Sequence, residues 1–384
     1  MSEDSIELRD VCSLIKRGIT PKYGENGLVV VNQRCIRNGV IELMNARIHD
    51  IVQRKVNAEK ILVKDDILVN STGVGTAGRV GMWIDSVAAT CDTHVTIIRP
   101  LADRINPTFL FYFLRNMEDV LHDSAEGSTG QTELKRETIG AINTPCFRMS
   151  EQEIIAQVLC SLDDKIDLLK RQNKTLEGMA EALFRQWFIE EAQEDWEEVE
   201  FNTIAENVRN VMKPENLQGD VRLVGLEHFD SKSLVLNRYE QTNELGSQKY
   251  KFEKGQIMFG KLRPYFHNIS LPFFSGVCST DILIIEARDD VWTIFAFFFL
   301  NQDWVVEAAT QSASGTRMPR TNWNFLGSLP VLLPEVESLS EFNTIARPMI
   351  EKIEKNWSEI RILNQQRDTL LPKLMSGEVR VQMD

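Results

Sequence analysis

Two stretches of the chain carry apolar residues at a strict three-four spacing. In the first, Leu159, Leu162, Ile166, Leu169, Asn173, Leu176, Ala180 and Leu183 follow at intervals of 3, 4, 3, 4, 3, 4 and 3. That places them on one stripe of a helix and predicts a heptad seam. In the second, Ile350, Ile353, Trp357, Ile360, Asn364, Arg367, Leu371 and Leu374 repeat the same spacing. This helix is expected to run unbroken until Pro372 ends regular structure near the tail. Asn173 and Asn364 fall on the seams, where a polar residue weakens packing but fixes alignment. Either helix could pack only on its own domain, but two such seams in one chain predict an intramolecular antiparallel pair. Outside them the pattern changes to short β-branched runs, Gly27 to Val31, Ile67 to Val69, Val95 to Ile98 and Ile282 to Ile285, separated by polar turns. These read as strands of mixed α/β domains. Strand and helix do not alternate regularly, so a doubly wound nucleotide-binding fold is not expected.

The chain also repeats itself, at an offset of about 187 residues. Glu7 to Ile15 matches Glu200 to Val208, and VKDDILVNSTG (Val63 to Gly73) matches FEKGQIMFGKL (Phe252 to Leu262), each a strand after a charged turn. ATCDTHVTII (Ala89 to Ile98) matches GVCSTDILII (Gly276 to Ile285), setting Cys91 over Cys278. An aromatic-rich helix follows in both, Pro107 to Asn116 and Trp292 to Gln302. Ser128 to Cys146 then matches Ala313 to Pro334, pairing Gly130 with Gly315 and Gly140 with Gly327. Each repeat closes on one of the long helices. The order suggests boundaries at 1–150 for the first domain, 151–190 for a central spacer helix, 191–334 for a linker and second domain, and 335–384 for a distal spacer helix and tail.

Length and composition fit two globular domains: 384 residues, 43% hydrophobic and 26% charged. The N-terminus lacks a basic and an apolar region, and the longest apolar run, Ile294 to Leu300, is far too short to span a membrane. The expectation is a soluble cytoplasmic protein with no membrane contact. The six cysteines lie far apart without a CxxC pair, so they read as reduced thiols, with no metal site. The net charge of −13 is unevenly spread: 18 basic against 19 acidic residues in 1–150, 13 against 14 in 201–334, and 5 against 14 in 151–200. Both domains are thus near neutral. Most of the acid sits in the central helix and the run Glu190 to Glu200, which reads as a solvated linker or a surface for a protein partner.

The turn-and-strand signatures DDILVNSTG and GQIMFGKLRP, the strands CDTHV and CSTDI, and the glycine-serine turns GSTGQTEL and SASGTRMPR occur in the same order in both halves. With the helix starts SEQEIIAQVLCSLDDKID and SEFNTIARPMIEKIEK and the ending LLPKLMSGEV, they resemble the specificity subunits of type I restriction-modification enzymes over essentially the whole chain. The resemblance implies two pseudo-symmetric target recognition domains joined by two long antiparallel coiled-coil helices. Each domain would read one half of a split site in double-stranded DNA. The helices would bind two adenine-methyltransferase subunits, and endonuclease and translocase subunits would join the complex. The subunit would be non-catalytic and bind no cofactor itself, with S-adenosylmethionine, ATP and Mg on its partners.

Residue chemistry agrees with a chain that reads rather than reacts. GVGTAG (Gly73, Gly75, Gly78) is a literal dinucleotide fingerprint, but RVGMWID after it is β-like. No helix N-terminus is expected there to cradle a phosphate, and the segment reads as a turn between strands. Asn106-Pro107-Thr108-Phe109 lacks the second proline of an adenine-methylation motif, and neither GxxxxGK[ST] nor HExxH occurs. His94, in an apolar strand, reads as a core or edge histidine rather than a ligand or base. For DNA contact, groups able to bond base edges or phosphates are sought on loops at matched positions. In the first repeat these are Asn32, Gln33, Arg34 and Arg37, then Ser71, Thr72 and Arg79, then Gln131, Lys135 and Arg136. The second repeat offers His228 and Lys232, then Lys261, Arg263, Tyr265 and His267, then Arg317, Arg320 and Asn322. Two rival readings are a coiled-coil adaptor with no role on DNA and a nucleotide-dependent catalyst built on GVGTAG.

Overall fold

The computed structural model describes residues 5–125, 133–313 and 318–380. Packing divides the chain into two units, Met1–Ile166 with Leu363–Asp384, and Asp167–Ile362. Both long helices therefore contribute a stretch to each unit.

In the first unit a four-stranded antiparallel sheet runs Cys12–Arg17, Val95–Pro100, Ile67–Asn70, Val80–Met82. Its second strand, VTII, and third, ILVN, are buried along their full apolar length, because one face meets the helix Pro107–Asn116 and the other a small second sheet. In that second sheet Tyr23–Val31 lies parallel to Ala89–Cys91 and antiparallel to Arg47–His49. Asp66, fully buried, holds Arg99 through two bonds of 2.8 Å and accepts the Val63 amide at 2.9 Å. The charged turn ahead of the third strand is thus pinned to its neighbour.

The second unit repeats the sheet in the same order: Ala205–Val208, Ile282–Ala287, Ile257–Gly260, Ile269–Ser270. Its companion sheet has five strands and again one parallel pair, Val221–Val224 with Gly276–Cys278. The two buried cysteines Cys91 and Cys278 hold matching places as the last residues of the strands Ala89–Cys91 and Gly276–Cys278 in these parallel pairs. The repeat read from sequence is therefore a repeat of topology, with one correction. Ile98 pairs with Ile67 and Ile285 with Ile257, so Ile67 matches Ile257 rather than Gln256. Strands buried on both sides carry no alternation that could set their register, and a slip of one residue passes unnoticed in the sequence.

The central helix is Met149–Arg185, closed by a wide turn Gln186–Glu190, and the distal helix is Val336–Ser376. Pro372 does not end the distal helix, and Pro348 also lies within it. Each proline removes one internal hydrogen bond. Around Pro348, burial of Phe342, Ala346, Ile350 and Ile353 holds the turn in place. The end falls at Gly377, whose φ of +72° suits a left-handed cap.

Within each unit the helix stretches run antiparallel, as the paired seams predict. In the first unit Ile155, Ala156 and Leu159 share a core with Leu371, Leu374 and Met375. Asp163 there accepts Arg367 at 2.7 Å and the Tyr112 hydroxyl at 2.7 Å. In the second unit Phe184 and Phe188 pack edge-on against Phe342, and Asn173 Oδ1 accepts Asn356 Nδ2 at 2.7 Å. Leu159, Ile166, Leu169, Ile350, Ile353, Trp357 and Ile360 are buried and Leu162 and Leu176 half-buried, as a seam requires. Asn173 is on it; its partner is Asn356, one position off the heptad stripe, while Asn364 is half-buried in the other unit.

Candidate nucleic-acid interface

In the first unit the three groups of candidate residues meet at one end of the central sheet. Asn70 closes the strand Ile67–Asn70 and donates from Nδ2 to the Gln33 carbonyl at 3.0 Å. The next residue, Ser71, accepts the Leu134 amide at 2.8 Å, and Thr72 bridges to Glu133. Loops 32–37, 71–79 and 133–136 are thereby fastened together. GVGTAG is the tip of the hairpin between Ile67–Asn70 and Val80–Met82, as expected of a turn, with no helix after it. Gly73 and Gly78 have φ of +104° and +86°, and a Cβ on Gly73 would lie 2.3 Å from Thr76 Oγ1. The glycines make the turn possible rather than expose a phosphate cradle.

The second unit fastens its loops by the same bonds. The Thr321 amide donates to the Lys261 carbonyl at 3.1 Å, matching Leu134 and Ser71, and Leu262 bridges to Arg320 as Thr72 does to Glu133. Arg263 N donates to the Pro319 carbonyl at 2.8 Å, and Lys232 N to the His267 carbonyl at 3.1 Å.

The candidates divide by what their side chains do. Ser71 is buried with its hydroxyl 2.5 Å from Thr96, and His267 is buried with its ring nitrogen 2.7 Å from Asn301 Oδ1. Neither offers a surface; both hold loops in place. Burial also lowers the His267 pKa below its ordinary value, against the pull of the Asn301 hydrogen bond. Asn32 spends its amide on the Asn45 carbonyl and the Arg34 amide, Asn322 caps the helix Trp323–Gly327, and His228 accepts the Gly225 amide. Gln33 is half-buried, with Oε1 buried and unpartnered. Lys232 pairs with Asp303 at 2.6 Å, Arg320 with Asp281 at 2.9 Å and Arg136 with Glu137 at 2.7 Å. Exposed pairs of this kind are worth little and exchange readily for a phosphate. Arg34 and Arg37 are exposed, and they, Lys261 and Arg263 make no ion pair with a described residue; the Arg79 guanidinium donates to the Gly75 carbonyl at 2.9 Å. Lys135 is exposed beside Arg136, and Tyr265 stands out at a loop tip. Gln131 and Arg317 lie outside the described residues.

Residues outside the candidate groups also gather at this end. His94, read from the sequence as a core or edge histidine, is exposed just ahead of the strand Val95–Pro100, its Nδ1 2.7 Å from Thr72 Oγ1, and Asp281 occupies its place in the second unit. Arg17 spans Glu133 Oε1 at 2.8 Å and the Leu134 carbonyl at 3.1 Å. With Lys16, Lys60, Lys135 and Arg136 it lines a shallow recess of about 360 Å³. Nothing in the pattern KR within the strand Cys12–Arg17 marks these side chains; only the fold carries them to loop 133–136.

A family model described as the type I restriction modification DNA specificity domain matches residues 3–178. A type I restriction enzyme MjaIX specificity subunit of Methanocaldococcus jannaschii is 27% identical over 310 residues, 73% of this chain and 71% of that protein. The EcoDI specificity subunit of Escherichia coli is 23% identical over 330 residues, 74% of this chain and 72% of that protein. Residues 3–178 thus match the DNA specificity domain of type I restriction-modification systems, and most of the chain is similar to their specificity subunits. In fold it is similar to the crystal structure of the type I S subunit from M. genitalium, with a TM-score of 0.59, 17% identity, and coverage of 99% of this chain and 96% of that one. Members of this family are the non-catalytic component of their systems. Among the described residues no cluster of metal-ligating side chains occurs, and no helix is long and apolar enough to cross a membrane.

Proposed function

We propose that this specificity subunit reads a split site in duplex DNA, one half with each repeat, and directs adenine methylation and restriction by partner subunits. The observation that carries the reading is the recurrence of one loop cluster. In both units, the loop after the third sheet strand is fastened to the segment ahead of a short helix, Arg136–Gly140 or Trp323–Gly327, and the cluster presents unpaired or weakly paired cations. A coiled-coil adaptor has no need of two such clusters. The base readers are Arg34, Arg37, Thr72 and Arg79 in the first unit and Tyr265 in the second, where Lys261 and Arg263 lie beside it on the phosphates. Lys135, Arg136, Lys232 and Arg320 serve phosphates.

Each repeat is near neutral, 18 basic against 19 acidic residues in 1–150 and 13 against 14 in 201–334, so phosphate contact from this chain alone is modest. Two methyltransferase subunits, bound along the long helices, add the remainder and carry the S-adenosylmethionine; endonuclease and translocase subunits bring the ATP and Mg. Complexes of this kind work on chromosomal DNA in the cytoplasm. The test is co-expression with the partner methyltransferase in cells free of N6-methyladenine, followed by single-molecule sequencing. A two-part motif with an unread spacer is expected; methylation without a motif, or at one undivided motif, would overturn the reading.

A further inference from the structure

The hairpin after Ile257–Gly260 turns through Lys261 to Asn268 before the strand Ile269–Ser270. At its tip Tyr265 is 52% and Phe266 49% exposed, their ring centroids 4.8 Å apart, and Met318 beside the neighbouring segment is 47% exposed. Two large rings left in water on a polar loop need a reason. The loop is not loose. Arg263 and His267, on either side of the pair, both adopt left-handed backbone with φ of 51° and 53°, a conformation that bulky residues rarely hold. Arg263 N and Thr321 N, the Lys261 amide on the Asp281 carbonyl, and the buried His267 ring on Asn301 keep it so. The rings are therefore presented in one arrangement. The matched hairpin in the first unit also exposes an apolar side chain at its tip, Val74, 78% exposed.

What covers the rings is given by their setting. From Lys261 to Asn268 the loop carries two cations and no acid, and Arg263 Nε is buried without a partner. A polyanion with apolar faces inside a charged exterior suits that arrangement. Resting on the DNA-reading function, we infer that Tyr265 and Phe266 form an apolar reading head that contacts the bases of one half-site, by stacking or against thymine methyl groups. Lys261 and Arg263 hold the adjoining phosphates. Val74 makes the smaller equivalent contact for the other half.

The full chain, assembled with its methyltransferase subunits, is used to select duplexes from a randomised pool. The wild type returns a split motif. Tyr265→Ala with Phe266→Ala relaxes preference in one half only and weakens binding to the selected duplex by about ten- to a hundred-fold. The slope of affinity against salt is unchanged, since no phosphate contact is removed. Tyr265→Phe keeps the affinity. As a check independent of substitution, the wild type is cross-linked by light to iodouracil placed within that half-site, with the adduct expected on Tyr265 or Phe266. If the wild type selects no motif, the DNA-reading function itself fails. If it selects one but the double variant keeps both halves and the same affinity, or loses methyltransferase binding instead, the reading head alone is wrong. Cross-links confined to other loops would overturn it as well.

Discussion

Glu177 shows how a single side chain can report on packing. It sits on the central helix, largely buried, and accepts the backbone N–H of Leu234 from the second recognition unit. Burial, aided by the Glu181 charge, pushes its carboxyl up to about 7, against the pull of that hydrogen bond. The unfolded chain releases this proton near the ordinary value of 4.5. Between the two values the folded state therefore binds more protons, and its stability must fall as pH rises. The stabilising effect is whole below about pH 4.5 and lost as pH passes about 7. Glu177→Gln keeps an acceptor for Leu234 but cannot ionise. The melting temperature of the wild type should therefore drop relative to the variant between pH 5 and pH 8, and parallel curves would contradict the assignment. The sequence marks Glu177 only as one of many acids in a helix; its depth depends on which loop lies against it.

At the scale of elements, the polar pair inside the helix seam has a measurable role. Asn356 is fully buried and bonds Asn173 at 2.7 Å and Gln172 at 2.9 Å, leaving its own Oδ1 without a partner. Asn173→Leu alone should destabilise the chain by about 1–3 kcal/mol, because it strips the main partner from a buried amide. Leucine at both positions should recover that loss and exceed the wild type in urea, while the register becomes less well defined. A single variant as stable as the double would show that the pair is not coupled. The seams were legible in the sequence because a heptad stripe depends only on spacing, and Asn173 stood out on it. Asn356 did not, since it lies one place off the stripe and becomes an inward residue only once the opposing helix is in place. The same distinction holds for the sheets. GLVVV, ILV, VTII and ILII announced strands, but their full burial left nothing to fix register, and the match to the second repeat slipped by one residue. Among the loop candidates, matched position picked out residues that the fold gathers at one end of each central sheet. It could not tell Ser71 and His267, which face inward, from Arg34 and Lys261, which stay available for a ligand.

For the whole molecule the repeat is the central fact, because two copies of one topology can diverge in their loops without disturbing each other's core. The apolar clusters are separate in the two units, so a change in one set of loops leaves the packing beneath the other untouched. Independent reading follows from that separation together with the DNA-reading function. The most direct test replaces residues 1–150 with the corresponding segment of another specificity subunit and sequences the methylome of cells carrying the hybrid with its methyltransferase. The methylated motif should have one new half and one half that is that of the parent chain. A hybrid that is active but methylates a motif changed in both halves would contradict it.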